Sequence, residues 1–171
     1  MNFINSILKV FVGDKSQKDV KALQGNITKV KSFETALAAL SNDELRAKTQ
    51  YFKDKIKQAR SEKDSKIEAL KLEVEQIEDI DKREDIYATI DSLEKEAYEI
   101  SEKTLNEILP EAFAVVKETA RRFKENATIR VKATPRDREF SATKSYVELE
   151  GDDAIWANTW NAAGKQITWD M

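Results

Sequence analysis

From Leu45 to Ile108 the apolar residues fall three and four apart, and they lapse in only two places. Thr49, Phe52, Ile56 and Ala59 follow Leu45; residues 60–66 are polar; Ile67, Leu70, Val74 and Ile77 take up the same face again. That period belongs to a helix with one wet face, and the first lapse reads as a four-residue stutter near Lys63. A helix of about 35 residues extends about 50 Å, which is longer than a small domain is wide, so it must project or pair. The second lapse, Glu78-Asp-Ile-Asp-Lys-Arg-Glu-Asp85, is followed by Ile86, Ile90, Leu93, Ala97, Ile100 and Ile108 in a shifted phase. A helical hairpin with its tip near Asp81 explains both the break and the return.

Composition agrees with long solvated helices. Charged residues make up 36% of the 171, against four Gly and two Pro, a balance foreign to loop-rich β architecture. Cys and His are both absent, which removes disulfides, thiol nucleophiles, imidazole bases and every Cys or His zinc site. No apolar run approaches a membrane span and the start lacks a signal-peptide h-region, so a soluble, cytoplasmic chain is expected. Charge is uneven: residues 1–31 hold six Lys against two Asp, a local +4, while residues 60–108 hold eight basic against sixteen acidic side chains, a local −8. Nucleic acid is therefore not expected as a partner, whereas an anionic surface would attract the start.

Phe3, Ile4, Ile7, Leu8 and Phe11 share one face of a short amphipathic helix that Gly13 would stop, with Asn2, Asn5, Ser6 and Lys9 opposite. About ten residues are too few for a stable helix alone in water. Its order must come from a surface, and a membrane, a channel or the body of the protein would each serve. Phe3, Ile4, Ile7, Leu8, Lys9 and Phe11 are the candidate contact residues. A second helix is expected from near Ser16 to Leu40, weakened at Gly25. Ser41 and Glu44 then have the S-x-x-E spacing of a capping box, with Leu40 and Leu45 as its hydrophobic staple. A helix should start at about Asn42, with Arg46 and Lys48 on its solvated side.

Pro110 suits the first turn of a fresh helix, along which Leu109, Phe113, Val116, Ala120 and Phe123 form a stripe to about Asn126. Beyond it the period becomes two: Ile129 and Val131 alternate with Arg130 and Lys132, Tyr146-Val-Glu-Leu-Glu150 repeats the pattern, Gly151-Asp-Asp153 turns into Ala154-Ile-Trp-Ala157, and Asn161-Ala-Ala-Gly-Lys165 turns into Gln166–Asp170. The expected fold class is α+β: mainly long α-helices including a helical hairpin, with a small antiparallel β meander of three to five strands at the C-terminal end. Trp156, Trp160 and Trp169 could stack a base or sugar. A sheet this small needs large side chains to close its core, however, and packing against the helices is the better reading.

Nothing in the sequence assembles a catalytic site. With Gly only at 13, 25, 151 and 164, neither a phosphate cradle nor a dinucleotide fingerprint can be written. A serine nucleophile would lack its base, and the many carboxylates lie on exposed helices where nothing raises a pKa. Glu62 with Lys66 and Glu99 with Lys103 are ordinary i,i+4 pairs. The acidic tip lacks the Gly and terminal Glu of a calcium loop.

Two stretches carry a resemblance: Leu40-Ser-Asn-Asp-Glu-Leu-Arg-Ala-Lys-Thr49, and Leu109-Pro-Glu-Ala-Phe-Ala-Val-Val-Lys-Glu-Thr-Ala-Arg-Arg122. Together they resemble the opening helices of the SecA family of ATP-driven preprotein translocases. The resemblance covers about half the chain. It implies that the segment is the amino-terminal edge of a larger motor, that the basic amphipathic start touches anionic phospholipid and the SecYEG channel, and that the parent couples ATP hydrolysis to preprotein movement at the inner face of the plasma membrane. ATP and Mg would belong to the parent, since this chain stops before the family's Gln motif and Walker A loop. Four parts are expected: scaffold helices over 1–59, an acidic hairpin insertion over 60–108, the family-like helix over 109–126 and a β insertion over 127–171. Bracing is the preferred role for the hairpin. The rival reading is a free-standing coiled-coil adaptor that recruits a partner through that hairpin.

Overall fold

The computed structural model describes residues 20, 21 and 23–169. Described helical residues between 20 and 32 make α1; then follow α2 (Glu34–Ala38), α3 (Asn42–Val74), α4 (Ile80–Glu125), β1 (Thr128–Lys132), α5 (Pro135–Thr143), β2 (Val147–Glu150), β3 (Asp153–Ala157), β4 (Thr159–Ala162) and β5 (Lys165–Thr168). The α+β class expected from the sequence is the class observed. No helix among the described residues is long and apolar enough to cross a membrane. The chain forms two compact units: residues up to Leu45 together with Phe113 onward, and Arg46–Ala112.

The Arg46–Ala112 unit is the helical hairpin. Ile67 and Val74 on α3, and Ile90, Ala97 and Thr104 on α4, are all buried and stand seven residues apart along their helices, the spacing of an antiparallel coiled-coil seam. Ala97 is fully buried. Burying each aliphatic side chain contributes about 1.5–3 kcal/mol. Thr104 keeps its hydroxyl satisfied by donating to Ile100 O at 2.8 Å. Lys63 to Glu96 (2.5 Å) and Lys71 to Glu94 (3.2 Å) bridge the helices outside the seam, and the predicted Glu62–Lys66 pair forms at 2.8 Å.

Two expectations for this unit need correction. The tip lies a few residues before Asp81, because Asp79 Oδ1 accepts the amide protons of Asp81 (3.1 Å) and Lys82 (3.4 Å) and so starts α4 at Ile80. And Pro110 does not begin a helix: it lies inside α4, which runs unbroken through 46 residues. A helix-interior proline costs about 3 kcal/mol. Burial around it offsets that cost, since Ile108 and Pro110 itself are both buried, and Glu111 receives Lys48 Nζ at 2.8 Å.

The first unit holds the sheets. The single helix expected up to Leu40 turns at Phe33, just after Ser32 Oγ bonds back to Lys29 O at 2.7 Å, a contact that competes with the helical ladder. The capping box forms as predicted: Ser41 N–H donates to Glu44 Oε2 at 2.7 Å and Glu44 N–H to Ser41 Oγ at 3.2 Å. At the other end five strands appear, but not as one meander. They form a three-stranded antiparallel sheet ordered β1-β3-β2 and a separate β4–β5 hairpin. The intruder is α5, whose Thr134 and Asp137 form a second capping box behind Pro135 at the first turn. Asp137 is wholly buried, accepting from Thr134 N–H and from Trp156 Nε1 at 3.2 Å.

Two-residue turns close both hairpins. Gly151 has φ +61° before a residue of ordinary φ, and Ala163 and Gly164 have φ +50° and +76°, the backbone signs of type II′ and type I′ turns. Ile129, Val131 and Ala154 make the sheet core, with Phe123, Ala133 and Trp156 packed on it. Trp156 lies edge-on to Phe140 of α5 at 5.8 Å, and Trp169 meets Phe123 of α4 at 6.1 Å. These two tryptophans therefore pack on helices as expected.

Candidate functional site

Both family-like stretches send side chains to one place, around Arg122. Arg122 lies in the last turns of α4 and is 9% exposed. Its Nε donates to Glu118 Oε1 at 2.8 Å, one terminal nitrogen donates to Asn42 Oδ1 at 2.8 Å, and the other donates to Leu40 O at 2.7 Å and Leu37 O at 3.2 Å. A planar guanidinium has donors enough, in a fixed fork, to hold a carboxylate, an amide and two carbonyls at once. The carbonyls it reaches are those of the turn between α2 and α3, where the helical ladder ends and acceptors need partners. So Arg122 closes the end of α2, fixes the first residue of α3 and holds both against α4.

Glu118 is the electrostatic counterpart. At 7% exposure it accepts from Arg121 (2.8 Å) and from Arg122 (2.8 Å). The Arg121 hydrogen bond, with that of Arg122 and the charges of both, holds its carboxyl below the usual glutamate range against the opposing effect of burial. Arg121 is correspondingly held in its charged form, chiefly by Glu118. A carboxylate pulled down by two guanidiniums is no general base. Its chemistry is that of a clamp.

The α3 start extends the clamp to the sheet. Asn42 Nδ2 donates to Arg130 O at 3.1 Å, and Asp43 Oδ1 accepts the amide proton of Lys132 at 2.8 Å. At the far end of α4, Asn126 Nδ2 donates to Arg122 O at 2.8 Å and Asn158 Nδ2 to Phe123 O at 3.2 Å, closing the helix from two sides. On the sheet face, Arg130 and Lys132 share Asp153 at 3.1 and 2.7 Å. Lys132 and Arg130 together hold the Asp153 carboxyl below its usual range.

The residues named from sequence fall differently. Phe3, Ile4, Ile7, Leu8, Lys9 and Phe11 lie outside the described residues. Arg46 and Lys48, expected on the solvated side, are both half-buried; Lys48 pairs with Glu111 and stands 4.9 Å over the ring of Tyr51. Arg122 and Asn42 were not singled out by sequence reasoning, because their partners lie 80 or more residues away; the one available signal was that each falls within a family-like stretch. The four glycines, at 13, 25, 151 and 164, spell no glycine-rich phosphate-loop spacing. No group of three or more acidic side chains among the described residues is placed to hold a metal ion.

Comparison with known proteins identifies the family. The model of the family described as SecA DEAD-like domain matches residues 8–134, a range that contains every Arg122 contact. Among similar proteins are the protein translocase subunits SecA of Flavobacterium psychrophilum, 75% identical over all 171 residues, of Christiangramia forsetii, 58% identical over the same length, and of Bacteroides fragilis, 45% identical over 167 residues. The whole chain, or 98% of it, is covered in each, yet it spans only 15% of the length of these curated relatives. No solved structure matches it. With two motif stretches locked by one buried arginine inside a matched span of this extent, the chain belongs to the SecA family, within its DEAD-like domain.

Proposed function

We propose that this chain is the amino-terminal part of a SecA-type translocase motor and serves there as a structural frame. The Arg122 cluster holds the edge of the first nucleotide-binding domain, and residues 1–12 touch anionic phospholipid or the SecYEG channel. The observation that carries the reading is that cluster: four of the five N–H groups of Arg122 are spent on the chain itself, joining the two stretches that resemble SecA. In the parent, ATP and Mg would be held by residues outside this segment, and the hydrolysis cycle would move preprotein from the cytoplasmic face of the membrane. Membership of the SecA family does not favour the free-standing adaptor.

The test is in two parts. The purified 171-residue chain should show no ATP turnover, and robust turnover surviving controls for contaminating enzymes would overturn the reading. Flotation with anionic vesicles should recover the chain, weakly, and deletion of residues 1–12 should abolish that recovery. Unchanged recovery removes the membrane role from this segment.

A further inference from the structure

Within the first unit the apolar stripe of α4 stands open. Phe113, Val116, Ala120 and Phe123 share one face at helical spacing, yet Phe113 and Val116 are 59 and 64% exposed. Phe123 leads on to the β4–β5 hairpin, since its ring meets Trp169 at 6.1 Å and Trp169 meets Trp160 at 6.4 Å. Trp160 stands opposite Ile167 in the register. Trp169 follows Ile167 by two residues, so all three fall on one side of the hairpin; the other side carries Thr159, Asn161, Gln166 and Thr168. Ile167 and Trp169 are 40 and 36% exposed. A helix face and a hairpin face thus join into one apolar surface that nothing among the described residues covers.

A continuous exposed surface of this kind marks a contact site, and three observations bear on its occupant. An isolated two-stranded hairpin is marginal in water, and β4 and β5 form a sheet of their own, so a further layer over Trp160 and Ile167 would stabilise them. A lipid surface is disfavoured because the cations beside the stripe are engaged: Lys117 with Glu34, and Arg121 with Glu118 and Glu125. The segment spans 15% of the length of its SecA relatives, so most of such a polypeptide lies outside it.

We propose that Phe113, Val116, Trp160, Ile167 and Trp169 form the docking surface for the parent polypeptide beyond residue 171, which covers it with an apolar face of its own. Phe113 and Val116 lie inside residues 8–134, the range matched by the domain model of the family, and β4–β5 lies outside it. The hairpin therefore enlarges a seat that α4 provides. This inference rests on the placement of the segment in a larger SecA motor, and not on its membrane contact.

Hydroxyl-radical footprinting read by mass spectrometry compares the 171-residue chain with the full-length parent, with an added reporter peptide to normalise the dose. Oxidation of Phe113, Trp160 and Trp169 should be about fivefold slower in the parent, as for side chains at the water-excluded centre of an interface. Equal rates would overturn the proposal. So would slow oxidation already present in the isolated chain, whether relieved by dilution, which makes a second copy the occupant, or by deletion of residues 1–12, which makes that segment the occupant. Protection supplied by anionic vesicles and not by the parent would overturn it too. Val116→Glu gives a second measure: the urea midpoint of the isolated chain should hold, and that of the parent should fall. An unchanged parent, or equal losses in both, would again overturn the proposal. Equal footprints remove the docking surface and leave the Arg122 frame in place, whereas ATP turnover by the isolated segment removes the frame reading and leaves the footprint as it is.

Discussion

Arg122 and Lys71 each hold a glutamate, yet they work in opposite ways. Arg122 lies in a buried network that joins residues 80 or more apart, and it satisfies backbone as well as side chains. Lys71 meets Glu94 with both side chains about half exposed, beside a seam of Ile67, Val74, Ile90 and Ala97 that closes without it. In the first unit a few buried polar groups hold the helix ends together, beside the apolar core of the sheet. In the hairpin, stability is spread over a repeating apolar face, and the ion pairs are accessory. The two halves of one acidic, helical chain thus solve the problem of holding distant segments together by different physics.

That contrast can be broken unit by unit, since Trp156, Trp160 and Trp169 all lie in the sheet unit and their fluorescence reports it selectively. The largest effect is expected from Arg122→Ala, which strips the Leu40 carbonyl and Asn42 of their donor and leaves Glu118 to Arg121 alone. It should cost about 3 kcal/mol, read as a lower urea midpoint by tryptophan fluorescence. A change under about 0.5 kcal/mol would mean that the network is ornamental. Next comes Ile67→Ala, expected to cost about 2–4 kcal/mol by opening the seam. Far-UV circular dichroism should register an earlier transition while the tryptophan transition stays put; if both move together, the units do not behave separately.

Acidification sharpens the first unit. The Glu118 carboxyl is lowered in the folded state from the ordinary 4.5. Its contribution is therefore fully present above pH 4.5 and is lost as pH falls through the lower folded value. Tryptophan-reported stability should fall below that pH, and Glu118→Gln should flatten the decline; an identical acid profile in that variant removes Glu118 from the account. The smallest effect belongs to Lys71→Ala, within about 0.5 kcal/mol, as for most exposed ion pairs. A loss above about 1 kcal/mol in chemical denaturation would show that the hairpin depends on its charges after all.

How much the sequence reveals follows the range of the forces involved. The Ser41–Glu44 cap, the Gly151 turn and the Ala163-Gly164 turn were legible because each is decided within about four residues, and the paired helices because their apolar period repeats along the chain. Pro110 misled because a local preference for the first turn was outweighed by burial around Ile108. Helix α5 was overlooked although Thr134-Pro-Arg-Asp137 spells a helix start, and with it went the strand order, since the long connection that α5 makes is what leaves room for β3 between β1 and β2. In the Arg122 cluster the Glu118–Arg122 pair has the local i,i+4 spacing, whereas the contacts to Asn42 and Leu40 were beyond reach by any local rule. An arginine near the end of an amphipathic helix is ordinarily read as favourable to the helix dipole, and only the fold reveals that it is buried.

One consequence attaches to Asn42 and Asp43. β1 borders its sheet, and a bordering strand offers bare amides and carbonyls on which other chains can template themselves. By engaging Arg130 O and Lys132 N–H, the opening residues of a helix stand guard over that border. Replacing Asn42 and Asp43 with alanine should therefore be felt first as self-association and poor yield, before any loss of secondary structure.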